Sequence, residues 1–412
     1  MKKKFLVFLL IAVLLAVGYK HRDKVAEFLG IGATTAYPES RSYSEMNRQT
    51  TREPAVEITD IGSPYKTYYH DLTEEEKHLY NEVLSGIYDI PQDFTVEKVT
   101  NDQVERAFSA LLYDNPDLFF VGRTNQLITY ESEFKFLKQN SKATVSFEYA
   151  VTKSEYVYMK EKLDAVCDEI ISGIPSDDVW EIEKYFHDYI IDNCTYHYEE
   201  NDYIGNSAYG ALVDGKSACE GYAKAMKLLL DKAGIKSAVV CGMSSQNGEE
   251  PGRHMWNAIE IGGKWYYLDV TWDDPVDEEG GERREYTYFN VDADFISSTH
   301  TELYKEFDCT SMEENFFVKS GMYFDYYDNS VCEKIAAKLA ENLENGDDSV
   351  RFKFADKEAY EAAVHDIDTN KKFSLILTLA KKNTDVSFYI DRVNWSPDEE
   401  HYTIKLTPER VG

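Results

Sequence analysis

Residues His254–Trp272 read HMWNAIEIGGKWYYLDVTW, two alternating apolar and polar runs that meet at Gly262-Gly263. A glycine pair between such runs predicts a two-residue hairpin turn, because the favoured turns need positive φ at their centre. With that loop Ile261 faces Lys264, so Trp256 faces Asp269 and His254 faces Thr271. Cross-strand partners share a sheet face, as do residues two apart on one strand. His254 and Asp269 are therefore diagonal neighbours on one face, with Cβ atoms roughly 7 Å apart. A three-residue loop would send them to opposite faces. The register thus predicts a His–Asp dyad.

Upstream, Tyr209–Met226 reads YGALVDGKSACEGYAKAM and admits two parses. Gly210 to Ser217 matches the phosphate-loop pattern G-x-x-x-x-G-K-[ST]. That loop needs an apolar strand before it and small residues within it. IGNSAY precedes Gly210 instead, and Ala-Leu-Val fills the interior. The helical pattern begins near Cys219, with Tyr222, Met226, Leu229, Leu230 and Ala233 on one face and Gly234 as its stop. A cysteine at a helix N-terminus sits near unpaired N–H groups and the positive end of the dipole, which favour thiolate. With His254 as base and Asp269 to hold its tautomer, the three residues suit Cys-His-Asp acyl transfer, and backbone N–H groups near Cys219 would receive the oxyanion.

GKSACEGYAKAMKLLLDKAGI followed by RHMWNAIEIGGKWYYLDVTWDDP resembles the transglutaminase-like superfamily of papain-related thiol enzymes. The CEGYA, H-x-W-N and DVTWDDP stretches are similar to its bacterial extracytoplasmic branch, over about residues 177–275. The resemblance implies a catalytic triad of Cys219 as nucleophile, His254 as base and Asp269 as orienting acid. It also implies an aromatic residue near the oxyanion, for which Tyr196 in NCTYHY is the positional match. Trp256 is a second substrate-side candidate, equally readable as core. Without the resemblance, Cys219 reads as a small buried hydrophobe, and His254 as a satisfied core histidine. Cys194 and Cys241 read as core, and His187 and His197 as local polar residues.

A chain of 412 residues exceeds one typical core and implies several domains. A net charge of −31 argues against nucleic acid or anionic lipid as partner, since both need clustered Lys and Arg. The start, MKKKFLVFLLIAVLLAVGYK, joins a basic run to an apolar one shorter than the ~20 residues of a relaxed membrane span. An export signal or uncleaved anchor at 1–19 is expected, which places the remainder outside the cytoplasm. Six cysteines show no C-x-x-C pair, so no zinc site is expected, and few or no disulfides.

The expected architecture is α+β: a papain-like, transglutaminase-like core at 176–305, with N-terminal helices packed on an antiparallel sheet. A polar linker at 20–63 and small α+β regions at 64–175 and 306–412 flank it. The expected function is thiol-dependent acyl transfer on peptide or isopeptide amides, with hydrolysis favoured over cross-linking. No metal or cofactor is required. Cell-wall peptides and extracellular proteins are both open as substrates, and the membrane is met only through the N-terminal segment. The alternative is a catalytically silent surface-binding module on the same fold. The acidic run Asp273–Tyr286 reads as a solvated loop.

Overall fold

The computed structural model describes residues 57, 60–91, 93–96, 100–122, 129–131, 142–245, 249–274 and 284–411. The expected export segment, most of the linker and the centre of the acidic run lie outside these residues. Among the described residues no helix is long and apolar enough to cross a membrane.

The first region holds α1 (Glu74–Ile87), β1 (Asp93–Val96), α2 (Asn101–Asp114), β2 (Thr129–Glu131), β3 (Lys142–Ser146) and α3 (Lys153–Ser172). Each helix opens on a capping box, with Thr73, Thr100 and Thr152 exchanging bonds with Glu76, Gln103 and Glu155. β3 lies between β1 and β2 in an antiparallel sheet.

The central region follows with α4 (Val179–Asn193), β4 (Thr195–Tyr196), β5 (Lys216–Ser217), α5 (Cys219–Lys232), β6 (Ser237–Ser244), β7 (Gly252–Ile261), β8 (Lys264–Leu268), α6 (Ala293–Ile296) and β9 (His300–Glu302). Strands β8-β7-β6-β9 form one antiparallel sheet in that order. Ile261 pairs with Lys264, the expected register, and Gly262 and Gly263 take φ of 60° and 81°, where a side chain would be strained. The phosphate-loop parse fails in space: Gly210–Asp214 is one π-helical turn, and Lys216-Ser217 pairs as a strand before α5 begins.

Helix α5 lies against the sheet, where buried Asn257 donates to the Ala223 carbonyl at 2.9 Å. Its amphipathic pattern predicts one wet face, yet Gly221 through Asp231 are all buried. Helices α3 and α4 pack against it beside the sheet, and a strap, residues 63–69, covers Lys227. The Lys227 ammonium donates to Asp231, Ser63 Oγ, the Tyr65 carbonyl and the Ser237 carbonyl. Tyr68 extends the strap to the sheet, donating to the Val239 carbonyl at 2.7 Å. One buried core consequently runs from Tyr68 to Cys309.

The last region holds α7 (Phe316–Lys319), β10 (Tyr323–Phe324), α8 (Asn329–Glu344), β11 (Val350–Phe354), α9 (Lys357–Asp368), α10 (Phe373–Lys381), β12 (Phe388–Asp398) and β13 (Thr403–Arg410), with its own core from Phe317 to Leu406. Its sheet runs β10-β11-β13-β12. Ser396-Pro397-Asp398 reads as the hairpin turn, but β12 continues through it and Pro397 pairs with Ile404. Proline is admissible there because β12 is an edge strand, and the turn moves to Glu399–Tyr402, with Tyr402 at φ 55°. The two cores meet where Tyr286 stacks on Phe316 at 3.8 Å and the Tyr288 hydroxyl contacts His401 Nε2 at 3.1 Å.

Candidate active site

Cys219 is the first residue of α5 and is half-buried, while the other cysteines are buried; all six are free thiols. Its placement depends on Gly221 one residue beyond the next, where a Cβ would lie 1.8 Å from Ser217 Oγ and 2.7 Å from the Ser207 carbonyl. Only glycine lets the first turn seat against that loop. The Gly221 and Tyr222 amides donate to the Ala218 carbonyl at 2.9 and 3.2 Å, and the Cys219 and Glu220 amides precede any helical carbonyl, so the thiol sits beside the positive end of the helix.

His254 on β7 is 6% exposed and Asp269, just past β8, is fully buried. His254 Nε2 lies 2.5 Å from Asp269 Oδ2. The other oxygen, Oδ1, accepts from the Thr271 and Trp272 amides at 3.0 and 3.1 Å, which turns the chain directly after the strand. Burial alone disfavours a charged imidazole, but the Asp269 carboxylate and the Cys219 sulfur outweigh it and raise His254 to about 10. Cys219 lies within hydrogen-bonding reach of the same ring. Asp269 is held well below the usual carboxylate range: burial opposes this, and His254 and His300 overcome it.

Tyr196 is 41% exposed, and strand pairing sets it beside Ser217, two residues before Cys219. Burial, then the charges of Cys219 and Asp269, push its hydroxyl up. Trp256 is 1% exposed, and its ring packs against His254 at 5.9 Å, nearly parallel. It forms the floor under the imidazole and has no face open to a substrate. Gly242, opposite His254, makes room for it: a Cβ there would come within 2.4 Å of the indole and 2.3 Å of the Thr301 carbonyl.

Two side chains without a role in the sequence reading, His300 and Asp274, and one read otherwise there, His187, complete the surroundings. His300 on β9, 2% exposed, places Nε2 3.0 Å from the same Asp269 Oδ2. The local-polar reading of His187 is overturned: the residue is fully buried between Asp188, 3.0 Å away, and Asp273, 3.3 Å away. Asp274 accepts from Tyr222 of α5 at 2.6 Å. The DVTWDDP stretch therefore ties His254, His187 and α5 through Asp269, Asp273 and Asp274. The two adjacent acids after the strand were the available signal, but nothing in the spacing names their partners.

His254, Asp269 and His300 are also the residues whose atoms could converge on a metal ion. Two ligands of one tetrahedral zinc stand roughly 3.3 Å apart. The 2.5 Å contact between His254 and Asp269 is a hydrogen-bond distance instead.

A cysteine at a helix mouth, an imidazole between it and a buried carboxylate, and the helix laid on an antiparallel sheet define a thiol-enzyme fold of the transglutaminase-like kind. Residues 164–270 match the family model described as Transglutaminase-like superfamily, so this part of the chain carries a transglutaminase-like domain. It is similar to Kyphoscoliosis peptidase of Homo sapiens, 29% identical over 99 residues, which cover 22% of this chain and 13% of that protein. The Mus musculus protein is 28% identical over 98 residues, covering 22% and 14%. The chain thus spans only a small part of the length of these relatives. A solved structure of a TGase overlaps 46% of this chain and 54% of its own, with a TM-score of 0.26 and 12% identity.

Proposed function

We propose that Cys219, His254 and Asp269 act together as the catalytic triad of a cysteine peptidase or amidase working on peptide or isopeptide amides. The observation that carries this is the buried His254 ring, bonded through Nε2 to Asp269 and within hydrogen-bonding reach of Cys219 at the head of α5. In the reaction His254 takes the thiol proton as the Cys219 sulfur forms a bond to the amide carbon, and the carbonyl electron pair moves to oxygen, facing the N–H groups at the start of α5. As that pair returns to re-form the carbonyl and the C–N bond breaks, His254 gives the proton to the departing amine. Water then adds to the thioester, losing a proton to His254, and the acid departs as sulfur recovers its electrons. An amine in place of water would give cross-linking; hydrolysis is the favoured outcome. Tyr196 beside Cys219 lines the substrate side, and the substrate is a peptide or protein met outside the cytoplasm, the site to which the basic-apolar start of the chain directs it.

The test is alkylation of Cys219 by iodoacetamide at pH 6.5, with Cys219→Ser to identify the reacting thiol. An unassisted thiol is about 1% ionised there. The wild type should react at least roughly 10-fold faster than His254→Ala. Equal rates, or a thiol that never reacts, would overturn the enzyme reading in favour of a surface-binding module.

A further inference from the structure

Two histidines, not one, address the buried acid of this site. Asp269 is fully buried, and all four of its acceptor positions are filled: Oδ1 by the Thr271 and Trp272 amides, Oδ2 by His254 and His300. A carboxylate only accepts, so His300 must carry its proton on Nε2. His300 Nδ1 is 2.8 Å from Thr299 Oγ1, whose alternative acceptor, the Ile296 carbonyl, is 3.4 Å away. The shorter contact has the threonine hydroxyl donating to Nδ1, which fixes the tautomer that presents N–H to Asp269. The ring cannot turn away, because it is walled by Trp272 at 4.5 Å and Trp256 at 4.9 Å.

We propose that His300 is a positioning residue for this site: its Nε2–H fixes the plane of the Asp269 carboxylate, and so the direction in which Oδ2 meets His254. The inference rests on the catalytic reading above, but its geometry does not. With Oδ1 clamped by two backbone amides, one further donor on Oδ2 determines the carboxylate's remaining rotation. His254 inherits that orientation, and with it the way its ring meets Cys219. His300 touches no reacting atom; it acts through Asp269.

Two substitutions separate this role from packing. His300→Phe keeps a ring between the two tryptophans and removes the donor; His300→Gln keeps a donor and removes the ring. A lost hydrogen bond to a charged group should lower Cys219 alkylation at pH 6.5 roughly 10-fold in His300→Phe. His300→Gln should stay within roughly threefold of the wild type. A packing role predicts the opposite order, and that result, or equal behaviour of the two variants, would overturn the proposal. Low-field N–H resonances of the 15N-histidine-labelled full chain give an activity-free reading. His254→Ala and His300→Phe should each remove a different resonance; if His300→Phe removes none, the bond to Asp269 does not exist and the proposal falls. Should wild-type alkylation prove independent of His254, the catalytic reading fails by itself, and the resonances still decide whether His300 holds Asp269.

Discussion

Asp269→Asn tests the site at its most constrained atom. The carboxylate accepts four hydrogen bonds at full burial. An amide supplies one oxygen and one NH2 group, so two of the four donors meet a donor. If the oxygen stays with the Thr271 and Trp272 amides, the NH2 faces His254 and His300. His254 Nε2 must then give up its proton to accept, and the ring's remaining proton moves to the nitrogen facing Cys219. Such a ring can no longer take a proton from the thiol. Two charge-assisted bonds are lost, about 1.5–3 kcal/mol each at most. With the tautomer reversed, the expected fall in acyl transfer is about 10³–10⁴-fold. Alkylation of Cys219 at pH 6.5 should drop to the level of His254→Ala, with an unchanged circular dichroism spectrum. The acid limb adds an independent sign. Asp269 is depressed in the folded protein, so its stabilisation is present above the unfolded carboxylate value of about 4 and is lost as pH falls. Asn cannot titrate, and the variant's stability should therefore fall less steeply on acidification. A folded variant that alkylates within threefold of the wild type would show that the reactivity of Cys219 does not depend on the Asp269 carboxylate.

Other substitutions probe the frame around the site. His187 is opposed by burial, but Asp188 and Asp273 raise it to about 9, so its stabilisation is intact below about 6.5 and lost as pH rises to 9. The urea midpoint should decline across that window in the wild type and decline less in His187→Gln. Lys227→Met leaves Asp231 buried without its partner and should cost about 3–5 kcal/mol, with limited proteolysis now cutting near Ser63. Gly242→Ala drives a methyl into Trp256 and the β9 backbone; about 1–3 kcal/mol of stability should be lost, and Cys219 reactivity should fall with it as His254 loses its floor.

The parts of this architecture that were legible in the sequence are those governed by local chemistry. The start of α1 at Thr73 follows from a capping box, Thr73-Glu-Glu-Glu76, whose hydrogen bonds join residues three apart. The closeness of His254 and Asp269 follows from turn length, because Gly262-Gly263 admits a single register. Helix α5 begins at Cys219 because the apolar period starts there. What was not legible depends on pairing across long separations. His300 reaches Asp269 only because β9 adds to the far side of β6, and no periodicity specifies that neighbour. The burial of Lys227 needs the strap at Ser63, 164 residues away. Pro397 reads as a turn residue until the sheet order shows that its strand has no second neighbour among the described residues.

That last strand bears on how the molecule behaves in company. β12 presents eleven residues along an open sheet edge, the kind of surface on which a second copy could lay a strand of its own. Pro397 has no N–H to offer a ladder, and exposed Asp391 and Arg392 would meet their own like charges in a parallel, in-register stack of copies. The edge is therefore guarded against zipping into filaments, and the residue that looks like a misplaced turn protects the protein from itself when it is crowded.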